Sequence, residues 1–521
     1  MSQHIKHSAG EPPKALVILA AGMGSRIRVD GQESPKPLVN VGGLPLLKRA
    51  ILTANRAGVE RFVVILGYER ELIYDVLAGD EALRELDIEW VMHEGYELKN
   101  GVSVLQARPY IDEEFYLTMA DHVVEPALYE RLGQAPLKGD LALAVDYKLD
   151  QVFDMDDATK VRIGAELEIL EISKELSPFD AVDTGVFRCS PALFDALDEV
   201  YQAQGDASLS EGVKTLADQG RAHVVDIGAA WWQDVDDLAT RDEAERRLFS
   251  ALTKSTDGWV SRHINRVISK QISRRLMNHA VSPNAVTAAA LLIGILSMVA
   301  NLCASPDRLW ALALGGFLFQ LSSVVDGCDG ELARLKFDFS EFGAWFDTIS
   351  DLIVNVGYIA TFGVAVSLAT ESWLWAGLMG LGLIMAAHAI TTVTKVLRDS
   401  NESYLPAMNW SYKDEQQSAS LFQQICRRFD FMARRDFYAF AFMLLSFSAL
   451  SAVGLTVLKV TVSLSVTVIW FVFMQNLRTQ RKNRRQAHRP LVEGRSATHA
   501  SVEAASPVGH VTGEWQLQDA L

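Results

Sequence analysis

The segment DGCDGELARLKFDFSEFGAWFDTISD, Asp326 to Asp351, decides how the second half of this chain folds. Its pattern is D-x2-D-G-x2-A-R-x8-G-x3-D-x3-D. Asp326 and Asp329 lie one helical turn apart, as do Asp347 and Asp351, so each pair projects from one face of a helix. Four converging carboxylates repel one another and are costly to desolvate, so they need cations. An all-oxygen donor set selects Mg²⁺ or Mn²⁺. Two such ions clamp a pyrophosphate and activate an incoming hydroxyl. Gly330, Ala333 and Gly343 are small enough for a bulky nucleotide to approach, and Arg334 can pair with phosphate.

Apolar stretches surround the segment. Six of them, near 284–304, 309–326, 345–368, 373–394, 437–457 and 460–477, have lengths that suit a hydrocarbon layer. Basic residues gather in alternate connections: Arg334–Lys336, then Lys395, Arg398, Arg427, Arg428, Arg434 and Arg435, then Arg478 to Arg485. The opposite connections carry only Arg308 and Lys459. The positive-inside rule places the basic side, and the N-terminal half with it, in the cytoplasm. The default role of Lys336, Arg398, Arg427 and Arg428 is to set this topology. Just before the first span, WVSRHINRVISKQISRRLMNH (259–279) has Val260, Ile264, Val267, Ile268, Ile272 and Leu276 at helical spacing, interleaved with five arginines and lysines. A basic amphipathic helix beside a membrane domain is expected to lie on anionic headgroups.

The first half has a different character. Residues 1–252 hold 25 basic and 45 acidic residues, a net of −20, whereas residues 253–485 hold 22 and 16, a net of +6. An acidic half joined to a basic, apolar half reads as a soluble domain fused to a membrane domain. The overall net charge of −16 argues against nucleic-acid binding through bulk charge. Four scattered cysteines give neither a zinc pair nor a disulfide framework. Met1 to Pro13 is polar, with no signal-peptide core. Ala15–Ala20, Phe62–Leu66, Phe115–Met119 and Leu141–Val145 read as buried strands and Leu44–Ala57 as a helix, the alternation of an α/β domain around a mostly parallel sheet. The boundaries expected are 1–13 disordered, 14–252 the soluble domain, 253–283 the interfacial helix and linker, 284–480 the membrane domain, and 486–521 a disordered tail.

LAAGMGSRIRVDGQESPKPL, Leu19 to Leu38, supplies the first half's chemistry. Gly22 and Gly24 follow an apolar strand and let backbone N–H groups close on a triphosphate. Arg26 and Lys36 add positive charge where pyrophosphate leaves. The spacing is neither a Walker A loop nor a dinucleotide fingerprint. The segment resembles the sugar-phosphate nucleotidyltransferases, which implies a Rossmann-like fold and nucleotide contacts from Ala20, Ala21, Gly22 and Gly24. The resemblance also implies metal carboxylates at Asp121 in YLTMADHV and Asp234 in WWQDVDD. Asp236 and Asp237 are expected to cap the helix that follows. NGVSVLQA (100–107), TMADHVVEP (118–126), DATKV (157–161) and DTGVF (183–187) look like the CTP:inositol-1-phosphate cytidylyltransferases. That likeness implies Asn100 and Ser103 near the nucleotide, and Lys160 and Lys174 on the substrate phosphate. Two departures stand out: Ala120 replaces a more usual Gly, and Asp237-Leu238 a more usual Thr-Pro.

The Asp326–Asp351 pattern resembles the CDP-alcohol phosphotransferases at every motif position. The resemblance implies a six-helix transmembrane fold, usually homodimeric, with Asp326, Asp329 and Asp347 as metal ligands. It makes Asp351 the general base, also able to touch the second metal, and has Gly330, Ala333 and Arg334 line the CDP site. Together the halves resemble the bifunctional inositol-phosphate cytidylyltransferase/di-myo-inositol-phosphate-phosphate synthases. Expected partners are CTP, inositol 1-phosphate and membrane lipids. Two alternatives stay open: transfer to a lipid hydroxyl, or a first domain that senses nucleotide without turnover.

Overall fold

The computed structural model describes residues 11–24, 34–254, 257–384, 387, 434–451, 456–460 and 462–463. The chain divides into two compact units. Unit 1 comprises Met1–Ser255, Lys270–Pro283 and Gly330–Phe339; unit 2 comprises Thr256–Ser269, Asn284–Asp329 and Ser340–Leu521.

Unit 1 is built on a nine-stranded sheet. Its elements run β1 (Ala15–Ala20), the small hairpin β2–β3 (Asn40–Val41, Leu44–Pro45), α1 (Leu46–Arg56), β4 (Arg61–Leu66), α2 (Arg70–Leu77), α3 (Glu81–Arg84), β5 (Asp87–Met92), α4 (Asn100–Leu105), β6 (Phe115–Met119), β7 (His122–Val124) and α5 (Pro126–Gln134). There follow β8 (Leu141–Asp146), β9 (Lys160–Ile163), β10 (Ile169–Ser173), β11 (Ala181–Cys189), α6 (Ala192–Gln204), α7 (Leu209–Asp218), β12 (Ala222–Asp226), β13 (Trp232–Asp234) and α8 (Leu238–Ala251). The sheet order is β10-β9-β11-β6-β1-β4-β5, with β8 pairing β11 and β12.

Every residue of β1 is buried because helices cover both faces. Its side chains alternate between two cores, as a period of two requires. Val17 and Leu19 join Phe187, Leu193 and Val213 on one face, and Leu16 and Ile18 join Leu47, Ile51 and Tyr129 on the other. Ladders β6-β1-β4-β5 and β8-β12 are parallel, but β11 runs antiparallel to β6, β8 and β9, and β10 to β9. The sheet is therefore mixed, not mostly parallel. β11, nine residues long and reversed, was not among the strands expected, and it pairs with three others, β6, β8 and β9.

In unit 2 the chain enters the described helices through a π turn at Ser261–Asn265 that continues into α9 (Arg266–Leu276), a helix that crosses from unit 2 into unit 1. The inward face of this stretch is small and polar (Asn265, Ser269, Ser273), while Trp259, Val267 and Ile268 are exposed. Small polar residues allow close approach: Gln320 Nε2 donates to Asn265 Oδ1 at 2.7 Å, and Cys328 Sγ to the Ser269 carbonyl at 3.5 Å.

Among the described residues, three helices are long and apolar enough to cross a membrane: α10 (Pro283–Leu302), α11 (Leu309–Lys336) and α12 (Glu341–Thr370). The shorter apolar α13 (Leu374–Ile384) and α14 (Arg435–Ser448) follow. The end of the fourth expected span, most of the sixth, and residues 486–521 lie outside the described residues. Glycines bring the helices together: a Cβ at Gly294 would meet Val354, and one at Gly316 would meet Ser446. Phe319 stacks on Tyr358 between them.

Candidate functional sites

In unit 1, β1 ends at the glycine turn Gly22-Met23-Gly24. Gly24 has φ +55, and a Cβ there would stand 2.5 Å from Lys36 Cβ, so both conformation and space demand glycine. The 3₁₀ turn Lys36–Leu38 aims Lys36 across a cavity of about 300 Å³ lined by Leu19, Ala20, Gly22, Gly24, Lys36, Pro37, Ala120, Asp121 and Asp236. Lys36 Nζ donates to Asp121 Oδ2 and to Asp236 Oδ1, each at 2.5 Å. Arg26 lies outside the described residues, and Ala21, buried at the end of β1, is not among the lining residues.

The carboxylates arrive by a specific route. β13 pairs antiparallel with β7, with Asp234 opposite His122, and the Val235 N–H donates to the Asp121 carbonyl. Asp121 Oδ1 lies 2.7 Å from His122 Nδ1. Burial opposes its charge, yet Lys36 and His122 hold Asp121 well below the usual carboxylate range. Burial also opposes the charged forms of Lys36 and His122, but Asp121 raises both pKa values, with help from Asp236 at Lys36. Asp234 shifts the other way: burial raises it, and Asp236 and Asp121 add repulsion.

Carboxylate oxygens of Asp157, Asp234 and Asp236 lie within 4.8 Å of one another, a donor set that suits a hard divalent ion. Asp236 was expected to cap α8. Asp237 alone is the cap, accepting the Thr240 N–H at 2.9 Å, while Asp236 turns into the cavity. Asp157 also binds Lys174 Nζ at 2.7 Å, which puts Lys174 beside this cluster. Lys160 is buried, and its Nζ donates to the carbonyls of Asp156 and Lys174. Asn100 and Ser103 on α4 are not among the residues lining the Lys36 cavity. Asn100 Oδ1 accepts the Leu209 N–H, tying α4 to α7, and Ser103 is buried.

In unit 2, oxygens of Asp326, Asp329 and Asp347 lie within 4.8 Å of one another, so the expected convergence of α11 and α12 is present. Thr287 Oγ1 donates to Asp329 Oδ2 at 2.6 Å. Asp351 faces an arginine: Arg435 Nη1 contacts Asp351 Oδ1 and donates to Asp326 Oδ2 at 2.8 Å. Arg435 opens α14, where the neighbouring Asp436 accepts the Ser261 N–H at 2.8 Å and fixes the start of the helix. Gly330, Ala333 and Arg334 continue α11 within unit 1, where Arg334 Nη2 reaches the Leu252 carbonyl at 3.5 Å and Gly330 leaves room for the Arg334 guanidinium. Lys336 Nζ donates to the carbonyls of His279 and Val281.

Charge counting had assigned Arg435 to topology. Its place one residue before a carboxylate that caps another helix is not a pattern that announces a site. Arg398, Arg427 and Arg428 lie outside the described residues.

Known proteins match both halves. Residues 16–255 match the MobA-like NTP transferase domain, and residues 280–474 match the CDP-alcohol phosphatidyltransferase family. The bifunctional IPC transferase and DIPP synthase of Thermococcus kodakarensis is 33% identical over 380 residues, covering 72% of this chain and 82% of its own. The protein of the same name from Rubrobacter xylanophilus is 36% identical over 350 residues, covering 66% and 76%. Among solved structures, the inositol-1-phosphate CTP transferase from T. maritima is 28% identical, with a TM-score of 0.40, covering 44% of this chain and 91% of that one.

Proposed function

We propose a two-step synthesis from one premise: this chain belongs to the family of bifunctional IPC transferases and DIPP synthases. In the first step a phosphate oxygen of inositol 1-phosphate attacks the α-phosphorus of CTP. CDP-inositol forms and pyrophosphate leaves. The backbone of Ala20 to Gly24 cradles the triphosphate, and Lys36, joined by Arg26, neutralises the leaving charge. Lys174, beside Asp157, meets the incoming phosphate, and Lys160 braces the loop that carries Lys174.

In the second step a hydroxyl of another inositol 1-phosphate attacks the phosphorus that bears inositol, and the bond to CMP breaks. Asp351 takes the hydroxyl proton, and Gly330, Ala333 and Arg334 line the CDP site. The product is a water-soluble phosphodiester that retains one phosphate. Asp326, Asp329 and Asp347 would hold one divalent ion, and Asp121 with Asp157, Asp234 and Asp236 would hold another; Mg²⁺ or Mn²⁺ suits both all-oxygen sets. Such an ion supplies Lewis-acid polarisation of a phosphoryl oxygen. The convergence of Asp326, Asp329 and Asp347 across 21 residues of sequence is the observation that carries this reading.

The membrane domain, residues 284–480, has six spans of which α10, α11 and α12 are the first three. It is a homodimer with the first domain, residues 14–252, in the cytoplasm. Exposed Trp259, Val267 and Ile268 support an interfacial placement of residues 259–276 against lipid. The test is full-length protein with CTP, Mg²⁺ and labelled inositol 1-phosphate, followed by phosphorus NMR of aqueous and organic phases. A soluble inositol phosphodiester, replaced by accumulating CDP-inositol in Asp351→Asn, agrees with the scheme. Label in the organic phase instead makes the acceptor a lipid hydroxyl, and CTP binding without pyrophosphate release makes the first domain a sensor.

A further inference from the structure

Arg49 is 2% exposed, the most deeply buried cation of α1. Among the described residues no carboxylate takes a hydrogen bond from it, although Glu245 is near enough to favour its charge. Its guanidinium donates instead to three carbonyls: Val41 (3.0 and 2.8 Å), Gly42 (3.1 Å) and Leu335 (2.8 Å). The first two belong to the hairpin β2–β3 that follows the Lys36 turn. The third lies in the last turn of α11, among the carbonyls that a helix leaves without an internal donor.

The end of α11 is itself unusual. The Asp338 N–H donates to the Ala333 carbonyl at 3.1 Å, closing a Schellman-type cap. Such a cap calls for a left-handed residue, usually glycine, but Phe337 fills the position at φ 54. A non-glycine residue persists there only when its surroundings hold it. Phe337 packs against the core that contains Leu16, Leu47 and Ile51, with the Arg49 guanidinium 5.8 Å from the centre of its ring. Two residues on, Phe339 lies 5.1 Å beneath the Arg56 guanidinium of the same helix α1. Gly43, next in the hairpin, lies so close to the Met277 carbonyl that a Cβ would stand 2.4 Å from it.

We propose that Arg49 and Phe337 form a clamp by which the nucleotidyltransferase fold positions the end of α11, and with it Gly330, Ala333 and Arg334, for the CDP-consuming reaction. Arg49 is thus a positioning residue for the second reaction although it lies in the domain of the first. Arg49 acts through hydrogen bonds to backbone that no side-chain substitution elsewhere removes. Phe337 acts by giving the clamp a half-buried anchor packed on the core. Its choice over glycine forgoes an easier cap, which makes sense only if the ring is needed.

The assignment of the reaction rests on the proposed function, so the experiment reads two things. In purified full-length protein, CMP release from supplied CDP-inositol and inositol 1-phosphate is compared with pyrophosphate release from CTP and inositol 1-phosphate. Hydrogen exchange of the amides of residues 333–339 is followed in the same samples. Phe337→Gly keeps the left-handed cap and removes the anchor. Arg49→Met removes the hydrogen bonds and keeps the bulk. In both, the KM for CDP-inositol rises about tenfold while that for the acceptor stays within twofold, a split that general destabilisation does not make. Pyrophosphate release by Phe337→Gly stays within twofold of wild type, and exchange at 333–339 accelerates at least tenfold. Unchanged KM for CDP-inositol in Phe337→Gly, with a working wild type, overturns the positioning role. A wild type that releases no CMP from CDP-inositol sinks the proposed reaction instead, and exchange alone then decides whether the clamp exists.

Discussion

Arg435 stands 2.8 Å from Asp326, joining the first residue of α14 to the metal-candidate cluster from 109 positions away in sequence. The same nitrogen contacts Asp351, so one cation serves the first and last carboxylates of the motif. Removing one partner of a largely buried charge pair leaves the other uncompensated. Arg435→Met is therefore expected to cut CMP release from supplied CDP-inositol by about 10²-fold, a loss of roughly 2.7 kcal/mol in transition-state stabilisation. Pyrophosphate release in unit 1 should not change. Equal loss of both activities would mean that the variant has simply unfolded.

Lys36 offers the reciprocal case. Its ammonium is held by Asp121 and Asp236 at the edge of the cavity, where the proposed first step would develop pyrophosphate charge. Loss of one pre-placed donor to a developing anion typically costs about 10²–10³ in kcat. Lys36→Met should lose pyrophosphate release by that factor while still converting supplied CDP-inositol. The two variants mixed together should restore the overall synthesis, because the intermediate is a diffusible small molecule.

The two sites were legible to different degrees, for a physical reason. Asp326, Asp329, Asp347 and Asp351 lie on two consecutive helices, so spacing alone put each pair on one face. Asp157 and Asp236 come to Asp234 through loops, and Arg435 comes from a distant helix; no local period encodes such meetings. Asp236 and Asp237 have the same side chain at successive positions, and only the backbone path after β13 separates a site residue from a cap. The mixed sheet was missed likewise, because β11 declares its burial but not its direction. Asn100 has a structural tie that its motif does not announce: its oxygen accepts an N–H from α7.

A pH dependence follows from Asp183. Burial pushes its carboxyl up to about 6, against the opposing Gly185 N–H and His122. The folded value exceeds the ordinary 3.8, so this group's contribution to stability is complete below pH 3.8 and is lost as pH rises through 6. Asp183→Asn keeps an oxygen for the Gly185 N–H and cannot ionise. Its Tm advantage over wild type should therefore be larger at pH 7.5 than at pH 4.5. A difference in Tm that does not vary with pH would count against a buried, titrating Asp183.

Asp236 and Asp237 give the sharpest comparison, since they are adjacent, chemically identical and placed in different environments. Asp237 accepts the Thr240 N–H, and Thr240 Oγ1 accepts the Asp237 N–H in return, a reciprocal cap on α8. Replacing such a cap by alanine costs about 0.5–2 kcal/mol. Asp237→Ala should lower Tm and leave the KM for CTP unchanged. Asp236 has one oxygen on Lys36 and lies within the Asp157–Asp234 cluster. Asp236→Ala relieves repulsion on Asp234, so it should cost little stability. It should nevertheless raise the Mg²⁺ concentration needed for half-maximal pyrophosphate release about tenfold, because it removes one of the clustered oxygens that attract the ion. Titrating Mg²⁺ against both variants separates the two roles. If Asp236→Ala instead lowers Tm without moving the Mg²⁺ midpoint, the residue braces Lys36 and takes no part in holding metal.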